Sequence, residues 1–256
     1  MRLFNFLKEV FIKTKKLDLS TLPSQGLFYK DDFSIVIKKA NSQDIYDYKD
    51  GYIKDSIALV INKIKNIVEK NTLLPKDYTF DDIKSIDIIF IFLEIVKFTK
   101  SKKILVKYIN EDLGKEEEIE FSSNYFNYFK ISEDLKKYYD SKNKCFELSG
   151  FKYTLPSIGV ETSLTNFLIS KSGQPESFSY KDYIYDFTHF VSDKKHLSFS
   201  EIENLIQVFN YDLGKTEIKK VKKIVLTFSP LQKYSLIKNG KVIDISAKVD
   251  LEKIWN

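Results

Sequence analysis

One five-residue string occurs twice in the chain, as Leu22-Pro23-Ser24-Gln25-Gly26 and as Leu155-Pro156-Ser157-Ile158-Gly159. Each copy is a turn signal. Proline fixes its own φ and drives the preceding residue extended, and glycine accepts backbone angles that other residues avoid. The copies lie a small domain apart, and no solenoid period of roughly 20–50 residues accompanies them. The repeat predicts two related halves, each introduced by the same turn, against chance recurrence of a short match. Residues 21–150 then read as an N-terminal α+β half. Residues 151–256 read as a more helical half closed by a β-hairpin, and residues 1–20 as an N-terminal amphipathic helix or tail. No Gly/Ser- or Pro-rich linker separates the halves, so they are expected to pack as one body.

In the tail, Leu3, Leu7 and Val10 share a helical face, Phe4 and Phe11 lie beside it, and Lys13, Lys15 and Lys16 give it a basic end. Such a helix can pack on its own domain, dock a partner or lie on a membrane surface. Residues 33–38 alternate as a strand, and residues 42–48 start a short helix. Residues 53–69 keep the 3.6-residue period through Ile53, Ile57, Val60, Ile61, Ile64 and Val68, until the stretch around Pro75 breaks it. Thr79 reads as the N-cap of the next helix, with Asp81 and Asp82 in its first turn. Residues 86–98 are apolar on nearly every side, which predicts the central buried helix of the first half. A membrane span needs about 20 apolar residues, and this run carries Asp87, Glu94 and Lys97.

Residues 103–108 and 116–121 predict one hairpin, and residues 144–148 and 151–155 a second, turning at Ser149-Gly150. Residues 124–140 are rich in Tyr and Phe without a clean period. Helices are expected at 161–170, 179–191, 198–209 and 216–228, the third opened by a capping box of Ser198 and Glu201. Asn239-Gly240 between two apolar runs is a strong hairpin signal, and residues 251–255 read as a last helical turn. The fold class is α+β, helix-rich, with short antiparallel hairpins.

Hydrophobic residues make up 43% of the chain and aromatics 15%, which excludes intrinsic disorder. The net charge of +5 comes from lysine, with Arg2 the only arginine. Arginine supplies most bidentate contacts to phosphate and base edges, so sequence-specific nucleic-acid binding is disfavoured. Lys219, Lys220, Lys222 and Lys223 suit either a nucleic-acid-binding face or the solvated side of an amphipathic helix. Cys145 is the only cysteine, so no internal disulfide forms, which fits a reducing compartment. The first twenty residues lack the pattern of a secretory signal.

Catalytic signatures are missing. His189 and His196 stand seven apart without a third and fourth metal ligand at a recognisable spacing. Cys145 sits in a strand-like run, as a small core residue would. Residues 212–216 end in Gly-Lys-Thr but lack the earlier glycine of a phosphate-binding loop and follow a helix. No catalytic, cofactor-binding or metal-ligating residue is assigned, and the chain is read as a non-enzyme.

The two turns, the block 198–255 with its Glu201-Ile202-Glu203-Asn204-Leu205-Ile206 string, Phe228-Ser229-Pro230 and the Asn-Gly hairpin together resemble the baseplate hub assembly proteins of T-even-type contractile-tailed bacteriophages. In the first half the turn, an extended segment, a Ser56-containing helix and an acidic approach to a long apolar helix are similar too. The resemblance covers residues 20–256. It implies a chaperone-like assembly factor that works through protein–protein contacts with phage baseplate hub proteins, in the host bacterial cytoplasm. The alternative it leaves is a stoichiometric component of the hub, located in the virion baseplate. It implies no cofactor, small-molecule substrate, nucleic acid or membrane partner.

Overall fold

The computed structural model describes residues 13–53, 57–101, 104–110, 113–120, 131–171, 194–208, 214–228, 234–238 and 241–245. The fold is α+β, with helices and small antiparallel sheets. The first half runs β1 (Thr14–Lys16), β2 (Val36–Lys38), α1 (Ser42–Ile53), α2 (Ile57–Asn71), β3 (Thr72–Leu73) and α3 (Ile88–Lys100). A hairpin follows, β4 (Leu105–Asn110) and β5 (Lys115–Glu120). Then come α4 (Glu133–Lys136), β6 (Tyr139–Asp140), β7 (Cys145–Leu148), β8 (Phe151–Tyr153), α5 (Ile158–Lys171), α6 (Phe199–Gln207), α7 (Lys215–Phe228), β9 (Tyr234–Lys238) and β10 (Lys241–Ile245). Strands order β1-β2-β3 and β6-β7-β8 in two sheets, with β4–β5 and β9–β10 as separate hairpins.

The hairpins fall where turn chemistry places them. Ser149 and Gly150 both take positive φ (49° and 82°), the backbone of a tight hairpin turn between β7 and β8. The strands flanking Asn239-Gly240 pair Lys238 with Lys241, and that dipeptide itself lies outside the described residues. The apolar run becomes α3, buried at Ile88, from Phe90 to Val96, and including Glu94. Glu94 receives a 2.6 Å hydrogen bond from Lys15, which answers the carboxylate that α3 carries inward.

That bond also explains a correction to the tail. The basic end read as helix is instead β1, pairing Thr14 with Lys38 and Lys16 with Val36. Leu17 next to it is buried in the core. Tertiary pairing overrides the local amphipathic pattern here, and Leu3, Leu7 and Val10 lie outside the described residues. Two further expectations shift. On α2 the inward stripe runs through Ile64, Ile67 and Val68, and Ile61 is 43% exposed. That stripe packs against α1 and α3. Thr79 does not open α3. It forms a capping box with Asp82 over a 3₁₀ turn, Phe80–Asp82, and a second 3₁₀ turn, Ser85–Asp87, intervenes before Ile88. Between the two turns Ile83 and Lys84 are extended (ψ 135° and 128°) because they pair with another segment, described below. The helix read at 179–191 and the last turn at 251–255 lie outside the described residues.

The buried side chains fall into two apolar clusters. The first takes residues from Leu17 to Ile104 together with Ile158; the second takes residues from Leu135 to Phe228 together with Phe28. Residues 135–148, placed with the N-terminal half by the sequence, therefore supply Leu135, Phe146 and Leu148 to the second core. The order of strands and helices also differs between the halves, so what they share is the repeated string itself.

Candidate functional site

Both Leu-Pro-Ser-x-Gly turns end up against one short segment, Ile83 to Asp87. The second turn pairs with it as a strand would: Ile158 N–H donates to Ile83 O (2.9 Å) and Ser85 N–H to Pro156 O (3.0 Å). The Lys84 ammonium donates to Leu155 O (3.0 Å) and to Thr154 Oγ1 (3.3 Å). The first turn meets the carboxylate at the end of the segment. Ser24 N–H donates to Asp87 Oδ1 (2.9 Å) and the Tyr29 hydroxyl to Asp87 Oδ2 (2.7 Å), while Lys84 N–H donates to the Tyr29 oxygen (3.0 Å). Ser24, Tyr29 and Asp87 are buried. Removal from water pushes the Asp87 carboxyl up to about 6, partly offset by the hydrogen bonds from Ser24 and Tyr29 and by the nearby Lys84 charge. Burial, then the Asp87 charge, pushes the Tyr29 hydroxyl well above the usual tyrosine range.

The turns also exchange apolar residues. Ile158, inside the second turn, is buried in the first core. Phe28, just after the first turn, is buried in the second core, its ring 4.9 Å from Phe228 and 6.0 Å from Phe146. Four ion pairs join the two sides as well: Lys144–Asp31 (2.7 Å), Lys195–Asp82 (2.8 Å), Lys65–Glu161 (3.1 Å) and His196–Asp81 (3.3 Å, when the histidine is protonated). Partly exposed pairs of this kind contribute about 0–1 kcal/mol each. Burying one large apolar side chain contributes roughly 1.5–3 kcal/mol. Phe28 and Ile158 therefore hold the junction more firmly than its surface charges do.

Beside this junction lies a cleft of about 360 Å³. From the first half it is lined by Tyr29, Phe33 and Tyr78, with Asp32, Asp77 and Asp82. Tyr29 stacks on Phe33 at 4.4 Å, and Phe33 meets Tyr78 edge-on at 5.0 Å. Tyr78 donates to Asp32 Oδ1 (2.5 Å), and desolvation followed by that carboxylate holds its hydroxyl up at about 12. The second half contributes Lys144, Thr154, Leu155, Val160, Lys194 and Lys195, and Lys84 lines the cleft as its buried lysine. Ser157, also in the lining, accepts from Val160 N–H (3.4 Å), so it caps α5.

The groups weighed in the sequence go elsewhere. Cys145 is buried in β7. His196 is exposed beside Asp81, and His189 lies outside the described residues. Gly214 and Lys215 stand at the start of α7, which follows a helix among the described residues. On α7, Lys223 bonds Asp134 (2.7 Å), drawing that carboxyl down to about 2, and Lys220 lies 5.0 Å over the Tyr138 ring. Two of the four lysines read as a nucleic-acid face thus contact α4 and the residues after it. Among the described residues no group of three or more His, Cys, Asp or Glu side chains could hold a metal ion, and no helix is long and apolar enough to cross a membrane. The cleft escaped the sequence reading because its walls come from five separated stretches, and no spacing within one stretch announces it.

Comparison of the chain with protein-family models, curated proteins and solved structures found no match.

Proposed function

We propose that the chain is an assembly factor for the central hub of a contractile-tailed phage baseplate, acting through protein–protein contacts with hub proteins and without catalysis. The observation that supports this reading is where the residues carrying the resemblance go. Leu22 and Leu155 are buried, the turns that contain them are bonded to Ile83–Asp87, and Ile202, Ile206 and Phe228 fill the second core. These residues build a two-core body, which leaves its recognition to the surface. A body of this kind suits a factor that binds hub subunits in the host cytoplasm and leaves before the particle is complete.

The test is a pull-down of the tagged protein from phage-infected cells, with mass spectrometry of its partners and of finished particles. Hub proteins in the pull-down and absence from particles are expected. Stoichiometric presence in particles would make it a structural hub component instead, and recovery of nucleic acid without hub proteins would overturn the reading.

A further inference from the structure

We propose that the free edge of β1 receives an extended acidic segment of a partner protein, which adds to the first sheet as a further strand. The proposal rests on the reading of the chain as a factor that works by protein contacts. β1 is an outer strand of the β1-β2-β3 sheet, and Lys13, Thr14, Lys15 and Lys16 are all exposed. The register fixes which main-chain groups point outward. Leu17 N–H donates to Ile35 O (2.9 Å), so the main chain of Leu17 and, two residues back, of Lys15 faces β2. The N–H and C=O groups of Thr14 and Lys16 therefore point away from β2, to the side where another strand would pair.

The side chains along that edge carry charge that nothing answers. On the inner face Lys15 is paired with Glu94, and Ile35 and Ile37 are buried beside α3. On the outer face Lys16 stands opposite Val36, Thr14 opposite Lys38, and Leu73, 46% exposed, opposite Val36 from the other side. Lys13, Lys16 and Lys38 enter no ion pair among the described residues. Asp18, the carboxylate nearest along the chain, instead accepts from Ser20 at the start of the 3₁₀ turn Leu19–Thr21. Unanswered lysines on an edge strand repel an identical edge, which disfavours a second copy of the chain. They favour a strand with carboxylates at alternate positions, because opposite charges across two strands stabilise the pair. One carboxylate would face Lys16. The next would face Thr14, which is short, so Lys38 can reach over it across the roughly 4.8 Å between strands. Main-chain bonds to Thr14 and Lys16 would hold the segment, and the lysines would select it.

The test is fluorescence anisotropy of the full chain with a fluorescein-labelled peptide of alternating glutamate and valine. A second labelled peptide, of alternating glutamate and proline, carries the same charge but lacks half the main-chain donors. The first should bind at low salt, and the second about tenfold more weakly because it cannot pair as a strand. Lys16→Glu and Lys38→Glu should each weaken binding of the first about fivefold. Thr14→Pro removes an outward N–H at the first residue of the strand and leaves the bonds to β2, so it should weaken binding about as much without changing the circular dichroism spectrum. Lys219→Glu on α7 should have no effect. Failure of the first peptide to bind, equal binding of the two peptides, equal loss with Lys219→Glu, or binding of a labelled oligothymidylate that depends on Lys16 and Lys38 would each overturn the proposal. So would a dimer of the chain, seen by sedimentation, that Thr14→Pro disperses. The pull-down from infected cells, repeated with the Lys16→Glu/Lys38→Glu variant, separates the two readings. Hub proteins retained by that variant would sink the strand edge and spare the assembly factor. Hub proteins absent even with the wild-type chain would sink the assembly factor, leaving the anisotropy to judge the edge.

Discussion

The glycines that end the two repeated turns are expected to respond to substitution for opposite reasons. Gly26 has φ +71°, a left-handed backbone, and a Cβ added there would lie 3.3 Å from Leu19 Cβ. Alanine should lose about 1–2 kcal/mol from the backbone, and asparagine, which tolerates that region, should lose less. Gly159 lies in the first turn of α5, where helix propensity alone favours alanine by about 1 kcal/mol. A Cβ there, however, would stand 2.2 Å from the carbonyl oxygen of Lys195. Close carbon–oxygen contacts settle at about 3.3–3.6 Å, so the two backbones would have to part by more than about 1 Å. The 195–197 segment is tied down by Leu197 N–H donating to Ser163 Oγ (3.1 Å) and by the Lys195–Asp82 pair. Overpacking of this kind costs about 1–3 kcal/mol, which exceeds the gain in helix propensity. Gly159→Ala should therefore destabilise, and Gly159→Asn should be worse, the reverse of the order at Gly26. Urea unfolding followed by circular dichroism gives all four values. An alanine at 159 that stabilises the protein by the helix-propensity amount would refute the close approach.

Three other outcomes follow from the junction and the core. Asp87 is pushed up to about 6, so between about 4 and 6 the folded state holds a proton that the unfolded chain releases. Its contribution is fully present below the unfolded carboxyl range and lost as pH rises through about 6, a fall of about 3 kcal/mol in the stability of wild type relative to Asp87→Asn; a flat difference across that window would show that the carboxyl ionises normally. Phe28→Ala should cost about 3–4 kcal/mol, since the ring is buried against Phe146 and Phe228, and a loss below about 1 kcal/mol in urea unfolding would remove Phe28 from the second core. Ser198→Ala dismantles the capping box with Glu201 at the start of α6 and should cost about 1 kcal/mol, with no loss expected from Ser200→Ala in the same assay.

Much of the fold was legible because its signals are local. Ser149-Gly150, Asn239-Gly240 and the Ser198–Glu201 capping box each carry their geometry within four residues, and the hairpins and helix start appear there. The apolar run of α3 needed no partner to be read as buried. The misplaced elements are those whose conformation is decided from afar. Thr14–Lys16 is a strand because Val36–Lys38 pairs with it, and Ile83 is extended because Pro156 and Ile158 lie alongside. The cleft belongs to the same class, since Tyr78 and Lys144 line it from segments far apart in the chain.

The repeated string does not repeat a backbone. In the first copy Gln25 and Gly26 both take positive φ and the chain turns back on itself, with Leu22 O accepting from Gln25 N–H (2.8 Å). In the second, Ser157 caps a helix that begins at Ile158. What the copies have in common is a demand made by their shared destination. Each must bring an extended, proline-stiffened approach to the buried Ile83–Asp87 segment and present a short polar side chain where water is excluded. Serine meets that demand twice, its hydroxyl accepting from Gly26 N–H in the first copy and from Val160 N–H at the helix N-terminus in the second. The final glycine then serves whichever constraint is local, a left-handed turn at 26 or the crossing of residue 195 at 159. Similar strings can thus arise because two segments fit the same site in one molecule. By that logic the junction tolerates little change, since a substitution in either copy disturbs the same Ile83–Asp87 segment.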